Sequence, residues 1–136
     1  MIIVGDIGNT ETKICIVDSK NNIIKRITLN TKKIDFSLLK KFTSSSKNKN
    51  ELISKCLFCS VVPKSFNNIR KFFSKFYKIK CHELKKLKLN KLIKIKVNYK
   101  QIGSDRLANA ISAINNKDNF IILDFGTATT FDVLIK

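Results

Sequence analysis

Short apolar runs recur along the chain, broken by glycine, aspartate and asparagine, and their spacing predicts strands mixed with helices. Residues 2–5 form a branched apolar run, Asp6-Ile7-Gly8-Asn9-Thr10 supplies turn chemistry, and residues 13–17 resume an apolar-rich strand. A third strand is expected over residues 23–29, after the Asn21-Asn22 turn. Asp35 is placed to cap a helix running through Leu38, Leu39 and Phe42, and the polar tract 44–50 then reads as a loop. Residues 56–62 read as a buried strand stopped by Pro63. Ser65 then caps a helix in which Phe66, Ile69, Phe73, Phe76 and Tyr77 recur at helical spacing, most simply as core. Short strands are expected over 79–82 and 92–97. A helix opens near Ser104 with an inward stripe of Leu107, Ala110, Ile111 and Ile114, and Asn115-Asn116 ends it. Residues 120–123 look like another buried strand, broken at 124–127 and resumed over 129–135.

The beginning and the end of the chain repeat one another. Laid over residues 120–135, residues 2–17 show the same order: apolar strand, aspartate, apolar residue, glycine, Asn9 or Thr127, second strand. Asp6 falls on Asp124 and Gly8 on Gly126. Two lobes, each opened by the same hairpin, explain this pattern better than chance.

Composition narrows the class. A chain of 136 residues with 43% hydrophobic side chains suits one globular domain with a modest core, and excludes disorder and collagen-like structure. No apolar run approaches the roughly 18 residues of a membrane span, and Asp6 interrupts any signal-peptide core, so a cytoplasmic protein is expected. The formal charge of +17 suggests a polyanion partner, but its distribution argues otherwise. The basic side chains crowd into residues 20–100, whereas acids concentrate where the glycines are. Nearly all the positive charges are lysines, which lack the planar fork that reads bases, so no dedicated nucleic-acid or membrane partner is expected.

A sharp glycine hairpin lets backbone N–H groups approach phosphate oxygens, while Asp6 and Asp124 hold cations. Two such hairpins facing each other can grip a nucleoside triphosphate from both sides. The plainer reading is that an aspartate before glycine closes a tight turn. A third segment, Gly103-Ser104-Asp105-Arg106, stands at a helix start. There Ser104 or Asp105 either simply caps the helix, or Asp105 takes a proton from an alcohol while Arg106 and nearby N–H groups hold an anionic substrate.

Together these segments resemble the signature of type III pantothenate kinases. Asp6-Ile7-Gly8-Asn9-Thr10 is similar to that family's first phosphate motif, Gly103-Ser104-Asp105-Arg106 to its pantothenate motif, and Asp124-Phe125-Gly126-Thr127-Ala128-Thr129-Thr130-Phe131-Asp132 to its second phosphate motif. Cys59-Ser60-Val61-Val62-Pro63 resembles its strand and turn before a helix. The resemblance implies an α/β chain of the actin-like ATPase (ribonuclease H-like) fold and a homodimer. Residues 1–111 would be a complete first lobe, and residues 112–136 a second lobe cut after its opening β-hairpin. It also implies ATP-dependent phosphorylation of pantothenate to 4'-phosphopantothenate, the first step of coenzyme A biosynthesis.

Residue by residue, the resemblance makes Asp6, Ile7, Gly8, Asn9, Thr10, Glu11, Thr12 and Lys13 the ATP segment, with Asp6 near magnesium and Thr127 a further ATP contact. Asp105 becomes the base on the pantothenate alcohol, within a binding run formed by Gly103, Ser104, Asp105 and Arg106. Asp124 becomes a ligand of a monovalent cation, potassium or ammonium. One departure stands out: family members often carry a substrate-contacting tyrosine where this chain has Lys96, and Tyr99 is displaced from that position. The family also continues with a glycine-rich adenine-binding stretch, on the order of 100 further residues. A chain ending at residue 136 is therefore expected to be weakly active or inactive without that remainder, with an unpaired apolar edge over 131–135. Two alternatives remain open: a non-enzymatic accessory relative of the same fold, and a kinase of this superfamily with another acceptor.

Cys56 and Cys59 form a C-x-x-C, with Cys81 and His82 downstream. On a strand that spacing sends the two thiols to opposite faces, so they read as buried thiols rather than a zinc knuckle, and His82 as an incidental polar residue.

Overall fold

The computed structural model describes residues 1–44, 52–115, 117–126 and 128–135. Residues 2–17 fold as the expected hairpin: β1 (Ile2–Ile7) and β2 (Glu11–Val17) pair antiparallel, and β3 (Ile23–Asn30) adds to β2 in the same sense. β4 (Lys55–Ser60) and the short β5 (Cys81–Glu83) continue the sheet in parallel on the other side of β1, giving the order β3-β2-β1-β4-β5. A mixed sheet of this kind needs crossover helices to return the chain, and its faces are covered by them. Two helices, α1 (Phe36–Ser44) and α2 (Pro63–Tyr77), accordingly join β3 to β4 and β4 to β5.

Alternation along the strands divides the apolar side chains between two cores. Ile3, Ile14, Ile16, Cys56 and Phe58 point to the face where Leu39 of α1 and Ile69, Phe72 and Phe73 of α2 lie, all buried. Phe72 meets Phe73 and Phe36 edge-on at 5.2 and 5.6 Å between ring centroids, so the aromatic stripe of α2 is core. Phe76, by contrast, lies 47% exposed at its end. Burying each such ring contributes about 1.5–3 kcal/mol. The other sheet face carries Leu57 and Cys59, which pack with Leu84, Leu89, Ile102 and Leu107 in a smaller core beneath α3 (Ser104–Ala113). Cys56 and Cys59 thus lie on opposite faces of β4, as strand geometry requires.

Several boundaries differ from the sequence reading. Pro63 opens α2 instead of merely stopping a strand. It sits at the start of the helix, where its missing N–H is no loss, with Val62 as the capping residue. Ser65, expected as the cap, is buried inside the first turn and donates its hydroxyl to the Thr31 carbonyl at 3.4 Å. Asp35 does cap α1, accepting the Leu38 N–H at 2.8 Å. Residues 92–97 form no strand, because their alternating isoleucines are used in packing: Ile93 and Ile95 lie against the small core, with no partner strand beside them. The strand expected over 79–82 is found as β5, displaced toward the C-terminus at Cys81–Glu83. The tract 45–50 and Asn116 lie outside the described residues.

The last two strands, β6 (Phe120–Phe125) and β7 (Thr129–Leu134), form a separate antiparallel pair. β6 is not the buried strand expected from its composition. Ile121, Leu123 and Phe125 are exposed, as are Phe131 and Val133 on β7, and the register sets Ile121 opposite Val133 and Leu123 opposite Phe131 on one face. The opposite face carries Asp124, Thr130 and Asp132 and turns toward α3. No helix among the described residues is long and apolar enough to cross a membrane.

Gly5 marks the tightest point of β1. A Cβ there would overlap the Phe58 ring and stand 2.9 Å from the Lys13 carbonyl oxygen, both fixed parts of the sheet. Gly5→Ala is expected to destabilise the fold by about 1–3 kcal/mol, read as a lower denaturant midpoint at unchanged slope. An unchanged midpoint would show that the sheet has slack at this point.

Candidate active site

The turn between β1 and β2 is built by main-chain bonds and held from the side by Thr31. Gly8 N–H donates to the Glu11 carbonyl at 2.9 Å, Thr31 Oγ1 donates to the Gly8 carbonyl at 2.8 Å, and Thr31 N–H donates to the Thr10 carbonyl at 3.0 Å. Thr12 and Thr31 hydroxyls share a buried hydrogen bond at 2.9 Å. The Gly8 N–H is therefore spent within the turn, and the exposed tip is formed by Asn9 and Thr10. Within the segment 6–13, Ile7 and Thr12 point into the protein, while Asp6, Asn9, Thr10, Glu11 and Lys13 face solvent.

Asp6 stands near the end of β1, paired in register with Lys13 on one side and with Cys59 on the other. One side of its carboxyl is open to solvent, yet the packed chain around it desolvates the group and raises its pKa above the ordinary carboxylate value. The charge of Asp105 raises it further, Lys13 draws it down, and Asp124 adds a smaller upward push. Asp105 of α3 and Asp124 of β6 thus both act on Asp6 of β1. Beside them the Cys59 thiol is pushed up to about 11, chiefly by burial, with the neighbouring Ser104 hydroxyl pulling down and Asp6, Glu83 and Asp105 pushing up.

Gly103 precedes α3 as its capping residue, so neither Ser104 nor Asp105 takes that position. Asp105 lies in the first turn and folds back, its Oδ1 accepting the Arg106 N–H at 2.8 Å and occupying the space that a Cβ on Gly103 would fill. The glycine thus makes room for the carboxylate. Arg106, expected to hold an anionic substrate, gives its Nε to both carboxylate oxygens of Asp132, at 3.0 and 2.9 Å. Its Nη2 also bonds Asp132 and donates to the Phe131 carbonyl at 3.2 Å. One helical turn on, Asn109 Nδ2 donates to Asp124 Oδ2 at 3.3 Å.

Asn109, Asp132 and Thr31 were not singled out for a role by sequence pattern. Only the spacing of Arg106 and Asn109 on one helix face offered a signal, and it needed a known partner to be read. Thr127 lies outside the described residues. Tyr99 donates its hydroxyl to the Lys85 carbonyl, while Lys85 Nζ reaches the Ile102 carbonyl at 2.6 Å, bracing the approach to α3.

Two buried hydroxyls stand here: Ser104 Oγ, whose neighbour is the Cys59 thiol, and Thr130 Oγ1, which has no hydrogen-bond partner among the described residues. Ser104 adjoins Asp105, and Thr130 is the register partner of Asp124. Crowded carboxylates flanked by hydroxyls suit a cation and its oxygen-rich ligand. Among the described residues no three acidic, histidine or cysteine side chains close into a metal cage. Magnesium fits this arrangement through one or two carboxylates, its remaining positions being filled by phosphate and water.

The type III pantothenate kinase family model matches residues 2–136. A Pelagibacter ubique protein named type III pantothenate kinase is 79% identical over 136 residues, which are 100% of this chain and 55% of that protein. One of the same name from Fusobacterium nucleatum is 34% identical over 145 residues, covering 100% of this chain and 56% of its own. In Syntrophus aciditrophicus the identity is 30% over 142 residues, with 97% and 54% covered. The chain spans about half the length of the curated relatives it matches. With a match over nearly every residue, the chain belongs to the type III pantothenate kinase family.

Proposed function

We propose that this chain carries the phosphate-binding and acceptor-activating part of an ATP-dependent pantothenate kinase, which forms 4'-phosphopantothenate at the entry to coenzyme A biosynthesis. The observation that carries the reading is the electrostatic convergence of Asp6, Asp105 and Asp124, with Asp6 raised by burial and by both neighbours. Asp105 is the base: its carboxylate takes the proton of the pantothenate primary alcohol as the oxygen attacks the γ-phosphorus of ATP. The bond to the β–γ bridging oxygen breaks and ADP leaves. Asn9 and Thr10 at the hairpin tip contact the phosphates, as does Thr127 by its place in the second phosphate motif, and Lys13 offsets the charge of Asp6. Asp6 would hold magnesium and Asp124 a monovalent cation, potassium or ammonium, while Asn109 fixes the Asp124 carboxylate. When bound, these cations neutralise the charge on the transferring phosphoryl group.

In this reading the five-stranded sheet and its helices belong to the first lobe of an actin-like fold, within residues 1–111, and the β6–β7 hairpin opens the second, within 112–136. The match of that hairpin to β1–β2 in strand order supports the division. A homodimer in the cytoplasm belongs to the same family reading.

Asp105→Asn removes the base while keeping the side-chain shape. Pantothenate-dependent ADP release by the protein made from its complete gene is expected to fall by ~10²–10⁴-fold. An active Asp105→Asn protein would show that this carboxylate is not the base. Wild-type ADP release that never depends on pantothenate would overturn the substrate.

The raised Asp6 pKa also has a stability consequence. The folded state holds the Asp6 proton more tightly than the unfolded chain does, so ionising Asp6 costs stability as pH rises from the ordinary value of 3.8 through the folded one. Without ligands, Asp6→Asn is expected to raise the thermal midpoint by a few degrees at pH 7, with the gain disappearing below pH 3.8. An equal gain at both pH values, or none at pH 7, would contradict the charge crowding.

A further inference from the structure

The Arg106–Asp132 pair joins two segments that the kinase reading treats separately, the acceptor-binding run on α3 and the second phosphate hairpin. A guanidinium carries five N–H donors in a flat fork, and two parallel bonds to one carboxylate fix its plane. In this chain Asp132 takes Nε and Nη2, and the Phe131 carbonyl takes a further Nη2 hydrogen at 3.2 Å. Nη1 bonds to none of the described residues, and the Arg106 side chain remains 30% exposed. Asp132 is the less exposed partner, at 16%, on the inner face of β7 opposite Ile122 and two residues from Thr130, the partner of Asp124. One edge of the guanidinium is therefore anchored to the hairpin, and the Nη1 end remains for an anion.

We propose that Asp132 is a positioning residue for substrate recognition: by holding the Nε–Nη2 edge of Arg106, it presents the Nη1 end to the carboxylate of the acceptor. The inference rests on the pantothenate reading for the identity of that anion. Asp132 touches no reacting atom and acts through Arg106. Because Asp132 shares a strand face with the residues around Asp124, the same pair keeps the acceptor run in step with the cation-binding turn.

Simple electrostatics and positioning make opposite predictions here. Neutralising an aspartate beside an anion-binding arginine should tighten the anion if charge alone mattered, since a repelling neighbour is lost. If Asp132 orients the arginine, the same change loosens it. Calorimetric titration of pantothenate into the protein from its complete gene, wild type against Asp132→Asn, is expected to show about tenfold weaker binding or more. An analogue with the carboxylate replaced by an alcohol is expected to bind both proteins equally. Unchanged or tighter pantothenate binding by Asp132→Asn, or an equal loss for the neutral analogue, would overturn the proposal.

Absence of pantothenate binding to the wild type would instead defeat the substrate reading, and a second measurement decides the pair independently. Thermal midpoints of Arg106→Ala, Asp132→Ala and the double variant are expected to be non-additive, the double variant losing little more than either single one. Additive losses would show that Asp132 does not hold Arg106.

Discussion

The crowding of Asp105 and Asp124 against Asp6 is the constraint that the surrounding elements have to meet. Asp6 comes from a central strand, Asp105 from the first turn of a helix on one face of the sheet, and Asp124 from a hairpin outside that sheet. Left to local preference, like charges separate, yet Asp6 stays close enough to both for each to raise its pKa. Only elements fixed by packing can hold such an arrangement. The cost is a local electrostatic strain at Asp6, which a neighbouring positive charge relieves in the way Lys13 already does in part.

The scaffold meets this constraint differently at its two ends. Around Asp6 the support is apolar and deep: Ile3 and Ile7 are buried, and the turn that follows is tied down by the Thr31 hydroxyl and amide. Around Asp124 the support is polar. The hairpin presents its acidic face inward and its apolar face outward, and side-chain bonds from Arg106 and Asn109 fasten it to α3. One helix therefore carries Asp105, Arg106 and both fastenings, which makes α3 the element that relates the two hairpins to each other.

What could be read from the sequence follows the kind of force involved. The β1–β2–β3 meander, the Asp35 cap and the helical period of α2 are local patterns that appear where the spacing places them, although Phe76 is exposed and Phe72, outside the expected stripe, is fully buried. Pro63 is ambiguous in one dimension because proline ends a strand and starts a helix equally well, and only the position of Val62 as cap distinguishes them. Residues 92–97 alternate like a strand, but a strand needs a neighbour to pair with, and that is decided by tertiary structure. Composition made β6 look buried, although burial depends on what lies over it.

At the site, the acidic turns and the helix start were legible as motifs because glycine, aspartate and order along the chain are visible in one dimension. The roles of Asn109, Asp132 and Thr31 were not. Each acts through a single polar bond between elements distant in sequence, and such a bond leaves no periodic trace. The role of Gly103 lay between these cases: its presence was noted, but its reason, space for the Asp105 carboxylate, required the fold.

The convergence of the three acidic groups is tested most directly by following the side-chain carboxyl carbon of Asp6 through a pH titration by NMR, in the wild type and in Asp105→Asn. The account predicts that Asp6 titrates above the ordinary carboxylate value of 3.8 in the wild type, and that removing the Asp105 charge brings it part of the way down. An Asp6 that titrates at the ordinary value, or one indifferent to the loss of Asp105, would mean that the carboxylates do not share a site.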